Sequence, residues 1–265
     1  MSDSGDFIED PDAIVPDTPE MRHALKQIAS GRCAHFSRSF DGVETARELL
    51  REGRPHWFLD LLTLWRPAGQ PSEADGLRLA VRDGYLNFYR RGQSVAKVSV
   101  VRGQLRGEVH VKYFSSEARL GRGQAYGRFE DRHVRGAGFS APYEGLGTLR
   151  AWMPEIDRRY VGVEKRLVDA LVAENDNVID LEMGLPAWGS VTTAPRMDLV
   201  TVENQQVVFW EAKTAGDSRI RCSVPVAPRQ MPHVLDQLEK YRLFLEQDTH
   251  CWRISEAYRS PARIL

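Results

Sequence analysis

Cysteine is scarce in this chain, and what there is does not pair: Cys33, Cys222 and Cys251 are the only three among 265 residues. That spacing excludes a zinc site with paired ligands and a disulfide framework, so three ordinary reduced thiols are expected. Long hydrophobic runs are missing too. Without a basic-then-apolar start no signal peptide is expected, and without an apolar stretch near a bilayer's thickness no membrane span is expected. The expected location is therefore the cytoplasm. Nor is there a strong charge of one sign, since 36 basic and 37 acidic residues leave a net of −1. The balance is uneven, however. Residues 1–20 hold seven acids and no lysine or arginine, which leaves the remainder with 36 basic against 30 acidic residues, a net of +6. With Pro11, Pro16 and Pro19 among them, those first residues read as a disordered leader, either a solubilising tail or a competitor for a basic surface. The mild basicity beyond it suits nucleic acid without requiring it.

What is present falls into two halves. Residues 21–68 carry three apolar faces at helical spacing: Ala24, Leu25 and Ile28; residues 43–50; and Trp57, Phe58, Leu61, Leu62 and Trp65, ended by Pro67. Residues 77–114 change period. The runs 77–81 and 85–89 flank Asp83-Gly84, a tight hairpin signal, and 95–101 and 109–114 continue the pattern as an antiparallel meander. Arg90, Arg91, Lys97, Arg102, Arg106 and Lys112 stand there among Tyr85, Tyr89 and Tyr113, a mixture that can hold a phosphate backbone and stack on bases, and that solvated sheet edges also use. Residues 119–138, rich in glycine and arginine, read as a flexible loop. Arg122, Arg128 and Arg132 are its candidate nucleic-acid contacts.

The second half starts with a long helix expected from Pro154, with Ile156, Tyr160, Val163, Leu167 and Leu171 as its apolar stripe and Glu164 at the margin. Residues 175–177 end it, 178–183 read as a strand, and 184–194 as a loop. The functional signal lies in 196–213. Residues 197–202 and 207–212 are β-branched, apolar runs around a polar turn, hence a hairpin. Asp198 opens one strand and Glu211 closes the other, so the pairing should set them side by side, with Lys213 on the face of Glu211. The unbroken run Val207, Val208, Phe209 and Trp210 suggests a strand buried on both faces. Carboxylates held close and deprived of water share a proton, pair with the lysine or bind a hard cation. Downstream, 219–224 reads as a further strand. A helix then sets Val234, Gln237, Leu238, Tyr241 and Leu245 on one face, and the chain closes with a last strand or helix.

Asp198 followed by Glu211-Ala212-Lys213 resembles the core of the PD-(D/E)xK nuclease superfamily. Glu164 matches that family's upstream helical acid, and Gln237 and Tyr241 resemble the Q-x-x-x-Y motif of its RecB-type branch. Pro195 stands three residues before Asp198 rather than next to it. The resemblance covers about residues 155–250. It implies an α/β, restriction-endonuclease-like mixed sheet flanked by helices over 151–265 and says nothing of the first half, which on its own pattern reads as an N-terminal α+β region over 21–150 that carries the meander. It also implies a nuclease site: Asp198 and Glu211 as ligands of Mg²⁺ or Mn²⁺, Glu164 assisting, Lys213 positioning a water, and Gln237 and Tyr241 beside them. DNA rather than RNA is the expected substrate by family habit, with a homodimer or a larger defence or repair complex left open. A binding or structural module without turnover is the alternative.

Overall fold

The computed structural model describes residues 36–73, 75–113, 126–130, 132–136, 139–186, 196–221 and 232–259. Two short helices, α1 (Val43–Glu52) and α2 (Trp57–Leu64), form where the second and third apolar faces lie. The first face, with the acidic leader before it, is outside the described residues.

Four strands follow as an antiparallel meander: β1 (Arg78–Val81), β2 (Tyr85–Arg90), β3 (Gln93–Val101) and β4 (Gln104–His110). Gly92 does more than turn the chain between β2 and β3. Its φ of 70° favours glycine, and a Cβ there would stand 2.7 Å from Glu182 Oε1 and 2.9 Å from Lys165 Nζ, so the turn lies against these two side-chain ends. The strand expected over 109–114 stops at His110. The His110 Nδ1 accepts the Lys112 amide at 3.2 Å, and Val111–Tyr113 tightens into a 3-10 turn.

The flexible loop expected over 119–138 is corrected where it is described. β5 (Tyr126–Phe129), β6 (His133–Gly136) and β7 (Phe139–Pro142) extend the meander to seven strands. Gly127 serves packing rather than mobility, because a Cβ there would meet the Val134 side chain at 2.7 Å. Arg128 therefore sits on a strand and Arg132 in the turn that follows; Arg122 is outside the described residues.

Alternation along β2, β3 and β4 turns Leu86, Phe88, Ala96, Val98 and Val109 to one side. They pack there with Trp57, Phe58 and Leu61 of α2 and with α3 (Leu146–Tyr160) in the first core. Pro154 does not begin that helix but lies inside it. An interior proline costs roughly 3 kcal/mol through a lost hydrogen bond and a clash. Burial of Leu149, Trp152, Met153 and Ile156 on the core offsets that, at about 1.5–3 kcal/mol for each large side chain. The single long helix is also corrected. The chain breaks at Val161 and Gly162 and restarts as α4 (Val163–Glu174). The break resets the helical phase, so α4 buries Val168 and Val172 while Val163, 73% exposed, faces water.

The second sheet is β8 (Val178–Gly184), β9 (Arg196–Glu203) and β10 (Gln206–Trp210), in the order β10-β9-β8 with antiparallel pairing. Val168 and Val172 of α4 cover one face against Leu181 and Leu199, together with Ala80 and Tyr89 of the first sheet. Helices α5 (His233–Leu245) and α6 (Asp248–Arg259) cover the other through Tyr241, Phe244, Ile254 and Tyr258. Leu181 and its partner Leu199 belong to one core while Met183 and its partner Met197 belong to the other, and Glu182 between the β8 pair has φ 51°. The molecule is thus an α/β fold with two antiparallel sheets flanked by helices, a restriction-endonuclease-like arrangement. Among the described residues no helix is long and apolar enough to cross a membrane.

Three smaller expectations change. β10 is an edge strand among the described residues, half-buried rather than covered on both faces, and Trp210 is 47% exposed. Ser218–Ile220 is a 3-10 turn rather than the start of a strand, capped by the Asp217 carboxylate on the Arg219 amide. Leu238 points to solvent, and α5 buries Tyr241 and Phe244 instead.

Candidate active site

Five segments bring polar and charged side chains to one end of the small sheet. β9 supplies Asp198, and the chain just past β10 supplies Glu211 and Lys213. The first turn of α4 supplies Glu164, the 3-10 turn supplies Asp217 and Arg219, and α5 supplies Gln237 and Tyr241. The hairpin is held shut by a side chain: Asp198 Oδ2 accepts the Ala212 amide at 2.8 Å, which continues the pairing one step beyond the last strand residue, Trp210.

Lys213 is the centre of this arrangement. Its side chain is 7% exposed. The ammonium hydrogen-bonds Glu211 Oε1 and the Ala212 carbonyl, the latter at 2.9 Å, and stands 3.5 Å from Glu164 Oε2 and 3.9 Å from Asp198 Oδ2. Burial works against that charge, yet Glu211, Asp198 and Glu164 outweigh it and hold the ammonium above the ordinary lysine pKa. It stays charged at any physiological pH.

Asp198 is the group that the surroundings strain. Burial pushes its pKa up from 3.8 to about 6, and the neighbouring Glu211 charge adds to the rise; the Ala212 amide and Lys213 oppose it only in part. Glu164 is held from outside by Arg219, at 2.6 Å, and Arg219 in turn by Asp217. Ionised, Asp198, Glu211, Glu164 and Asp217 exceed Lys213 and Arg219 by two negative charges. That excess is what would draw a cation or a proton.

On the α5 side, Gln237 Nε2 donates to the Tyr241 hydroxyl at 2.5 Å. The tyrosine has one proton and two acceptors, the Arg196 carbonyl at 2.6 Å and Glu211 Oε2 at 3.2 Å. Burial raises its pKa against the Gln237 hydrogen bond, and the Glu211 charge adds to the rise, so it remains a donor. Glu211 is thereby held by Lys213 on one oxygen, while the other shares the single Tyr241 proton with the closer Arg196 carbonyl.

Of the residues singled out in the sequence, Glu164, Asp198, Glu211, Lys213, Gln237 and Tyr241 thus lie in one connected network. Arg128 and Arg132 belong to the other sheet. Three further partners escape the sequence reading. Asp217 and Arg219 follow the motif, Arg219 as the first residue of a stretch that reads as strand and Asp217 just before it. Glu182 on β8 is 9% exposed, pairs with Lys165 at 2.8 Å and Arg196 at 3.7 Å, and adds its charge to those acting on Asp198. The available signal for it was an acid inside an apolar strand.

The donor set is hard oxygen, as Mg²⁺ and Mn²⁺ prefer. Among the described residues no group of three or more acids, histidines or cysteines is arranged to hold a metal ion. Mg²⁺ in general needs only one or two carboxylates and keeps waters and phosphate oxygens around the rest of its shell. Compared with protein-family models, with curated proteins and with solved structures, the chain finds no match.

Proposed function

We propose that this protein is a Mg²⁺- or Mn²⁺-dependent nuclease of the PD-(D/E)xK type that hydrolyses phosphodiester bonds in DNA. One observation carries the reading: carboxylates from β9, from the end of β10 and from α4, separated by up to 47 residues, surround one buried ammonium. A structural ion pair needs one acid, whereas here the carboxylates outnumber the cations and one of them is kept near its protonation point.

In this reading Asp198 and Glu211 hold the metal, and the bound ion supplies Lewis-acid polarisation of the phosphate and a more acidic water. The chain's own side chains do the rest. Lys213, pinned by Glu211, hydrogen-bonds the attacking water and offsets charge that grows on the phosphorus oxygens in the transition state. Gln237 holds the Tyr241 hydroxyl where its proton is shared between the Arg196 carbonyl and the Glu211 carboxylate. Glu164 adds negative charge at the rim while Arg219 restrains it.

A second reading has its own support. Lys213 and Arg219 already answer most of the carboxylates, and no three-ligand metal group stands among the described residues. The cluster would then be a fixed charge network in a nucleic-acid-binding or structural module. Incubation with linear, circular and single-stranded DNA in Mg²⁺ or Mn²⁺ separates the two. The nuclease reading expects cleavage that Lys213→Ala lowers by about 10²–10³-fold, the loss typical of one transition-state donor. A mobility shift without any cleavage would leave only the binding module.

A further inference from the structure

The face of the meander turned away from the first core is not a plain solvated surface. It forms one wall of a cleft of about 670 Å³ whose other wall is β8, β9 and the start of α4. Lys97 of β3 and Lys112 beyond β4 line it, as do Tyr85 of β2 and Tyr126 of β5. The Lys97 ammonium lies 5.8 Å from the Tyr85 ring centre and 4.8 Å from that of Tyr126; Lys112 lies 4.5 Å from Tyr160 and reaches the Gln93 side chain at 3.2 Å. Neither lysine makes an ion pair among the described residues. The nearby acids are engaged elsewhere: Glu108, opposite Lys97 in the sheet, bonds Arg106, and Glu182 bonds Lys165. Asp83 is the other acid of the cleft and sits at the β1–β2 turn. His110 and Lys112 are both held below their ordinary pKa, by burial first and by neighbouring lysines second, as expected where cations crowd without an anion.

Unpaired cations beside aromatic faces, in a recess of the size that takes small ligands, match a phosphate with a flat ring attached. We infer that the cleft seats an unpaired stretch of nucleic acid strand, with phosphates on Lys97 and Lys112 and bases against Tyr85 and Tyr126. A strand is favoured over a free nucleotide by where the cleft leads. Glu182 and Arg196 line it, Glu182 acts on the charge of Asp198, and the Arg196 carbonyl accepts the Tyr241 hydroxyl. A strand leaving the cleft along β8 and β9 therefore arrives at Lys213. A recess this small receives single nucleotides rather than a double helix. The inference rests on the nuclease reading for its purpose, since it would make the substrate DNA with a single-stranded end or flap. The binding itself needs no metal and no turnover.

The test uses the full chain in EDTA with fluorescent oligo-dT of about eight nucleotides, the same length as duplex, and dTMP. Single strand should bind more tightly than duplex. The Lys97→Gln/Lys112→Gln double variant should weaken binding at least tenfold and flatten the slope of log K on log salt by about 1.4, at about 0.7 for each phosphate no longer neutralised. The Lys97→Arg/Lys112→Arg variant should retain binding. Unchanged melting of the glutamine variant would show that it folds; if it does not, Tyr85→Ala with Tyr126→Ala gives the same tenfold test through stacking. Equal affinity for duplex, or glutamine-variant binding like the parent, overturns the inference. So does dTMP binding with the same lysine dependence while the oligonucleotide fails, which would assign the cleft to a free nucleotide. Oligonucleotide binding without Mg²⁺-dependent cleavage would sink the nuclease reading and leave the cleft standing; cleavage without metal-free strand binding would do the reverse.

Discussion

Two aspartates on neighbouring strands of the small sheet, Asp180 on β8 and Asp198 on β9, sit in charge clusters that differ in how fully they are answered. Asp180, 2% exposed, receives Arg38 at 3.2 Å, Arg82 at 2.5 Å, the Tyr258 hydroxyl at 2.7 Å and the Leu181 amide at 2.8 Å. Arg82 goes on to the Leu181 carbonyl and the Tyr89 hydroxyl. Two cations meet one carboxylate, and the hub joins the β1–β2 hairpin, β8 and α6. Asp198 has one good hydrogen bond, a lysine at 3.9 Å and a second carboxylate that opposes its ionisation. A carboxylate satisfied on every side is part of the scaffold. One left short of cations is where a ligand would gain by binding.

The comparison breaks most visibly at the hub. Asp180→Ala leaves Arg38 and Arg82 buried without a counter-charge, and breaking a buried pair in this way costs about 3–5 kcal/mol. That is a large part of a typical total of about 5–15 kcal/mol. Urea or thermal unfolding should show it at neutral pH, with no dependence on Mg²⁺. A loss under about 1 kcal/mol would mean that the arginines find water instead.

Asp198→Asn should act in the opposite direction. The folded protein holds the Asp198 proton to about pH 6, whereas the unfolded chain releases it near 3.8. Between those values the native state binds more protons, so its stability falls as pH rises and the deficit is full above pH 6. Asparagine never ionises. In EDTA the variant should be more stable than the parent at pH 8 by about 1–2 kcal/mol, less than the whole shift implies because water reaches part of the carboxylate. The gain should vanish at pH 4. Cleavage should be lost in the variant, which lacks one of the two carboxylates assigned to the ion. A variant less stable than the parent at pH 8 would place Asp198 with Asp180 among the scaffold acids.

What could be read from sequence follows the range of the interactions. The hairpin was legible because alternation, β-branching and a polar turn are local, and so were the meander's first three strands and the C-terminal end of α4; the start of α4 and the span of β4 were not. The burial of β10 was not: Val207, Val208, Phe209 and Trp210 state that the strand is apolar, not that no strand lies beyond it among the described residues. Strands β5 and β6 were hidden by glycines whose purpose, as at Gly127, is close packing against a neighbouring strand. The grouping of Asp198, Glu211 and Lys213 is a consequence of one hairpin. Asp180 offers no such clue, since its arginines lie 98 and 142 residues away. Glu182 combines a positive φ with an ion pair to a lysine on α4, neither of which its sequence neighbours announce.

The smallest effect sharpens the contrast. Arg219 pairs with Glu164 at 2.6 Å, a geometry as good as that of Arg82 on Asp180, but it is 44% exposed where Arg82 is 8%. In water the same chemistry is worth little, so Arg219→Gln should cost less than about 1 kcal/mol and the cost should shrink further in salt. Its consequence should appear at the site instead. Removing this cation deepens the negative charge around Glu164 and Asp198, so titration with Mn²⁺ should show tighter binding by a few-fold, with the gain largest at low ionic strength. Weaker Mn²⁺ binding would mean that Arg219 holds Glu164 in a position the ion requires. Unchanged binding would mean that Glu164 stands outside the ion's reach and belongs, like Asp180, to the frame.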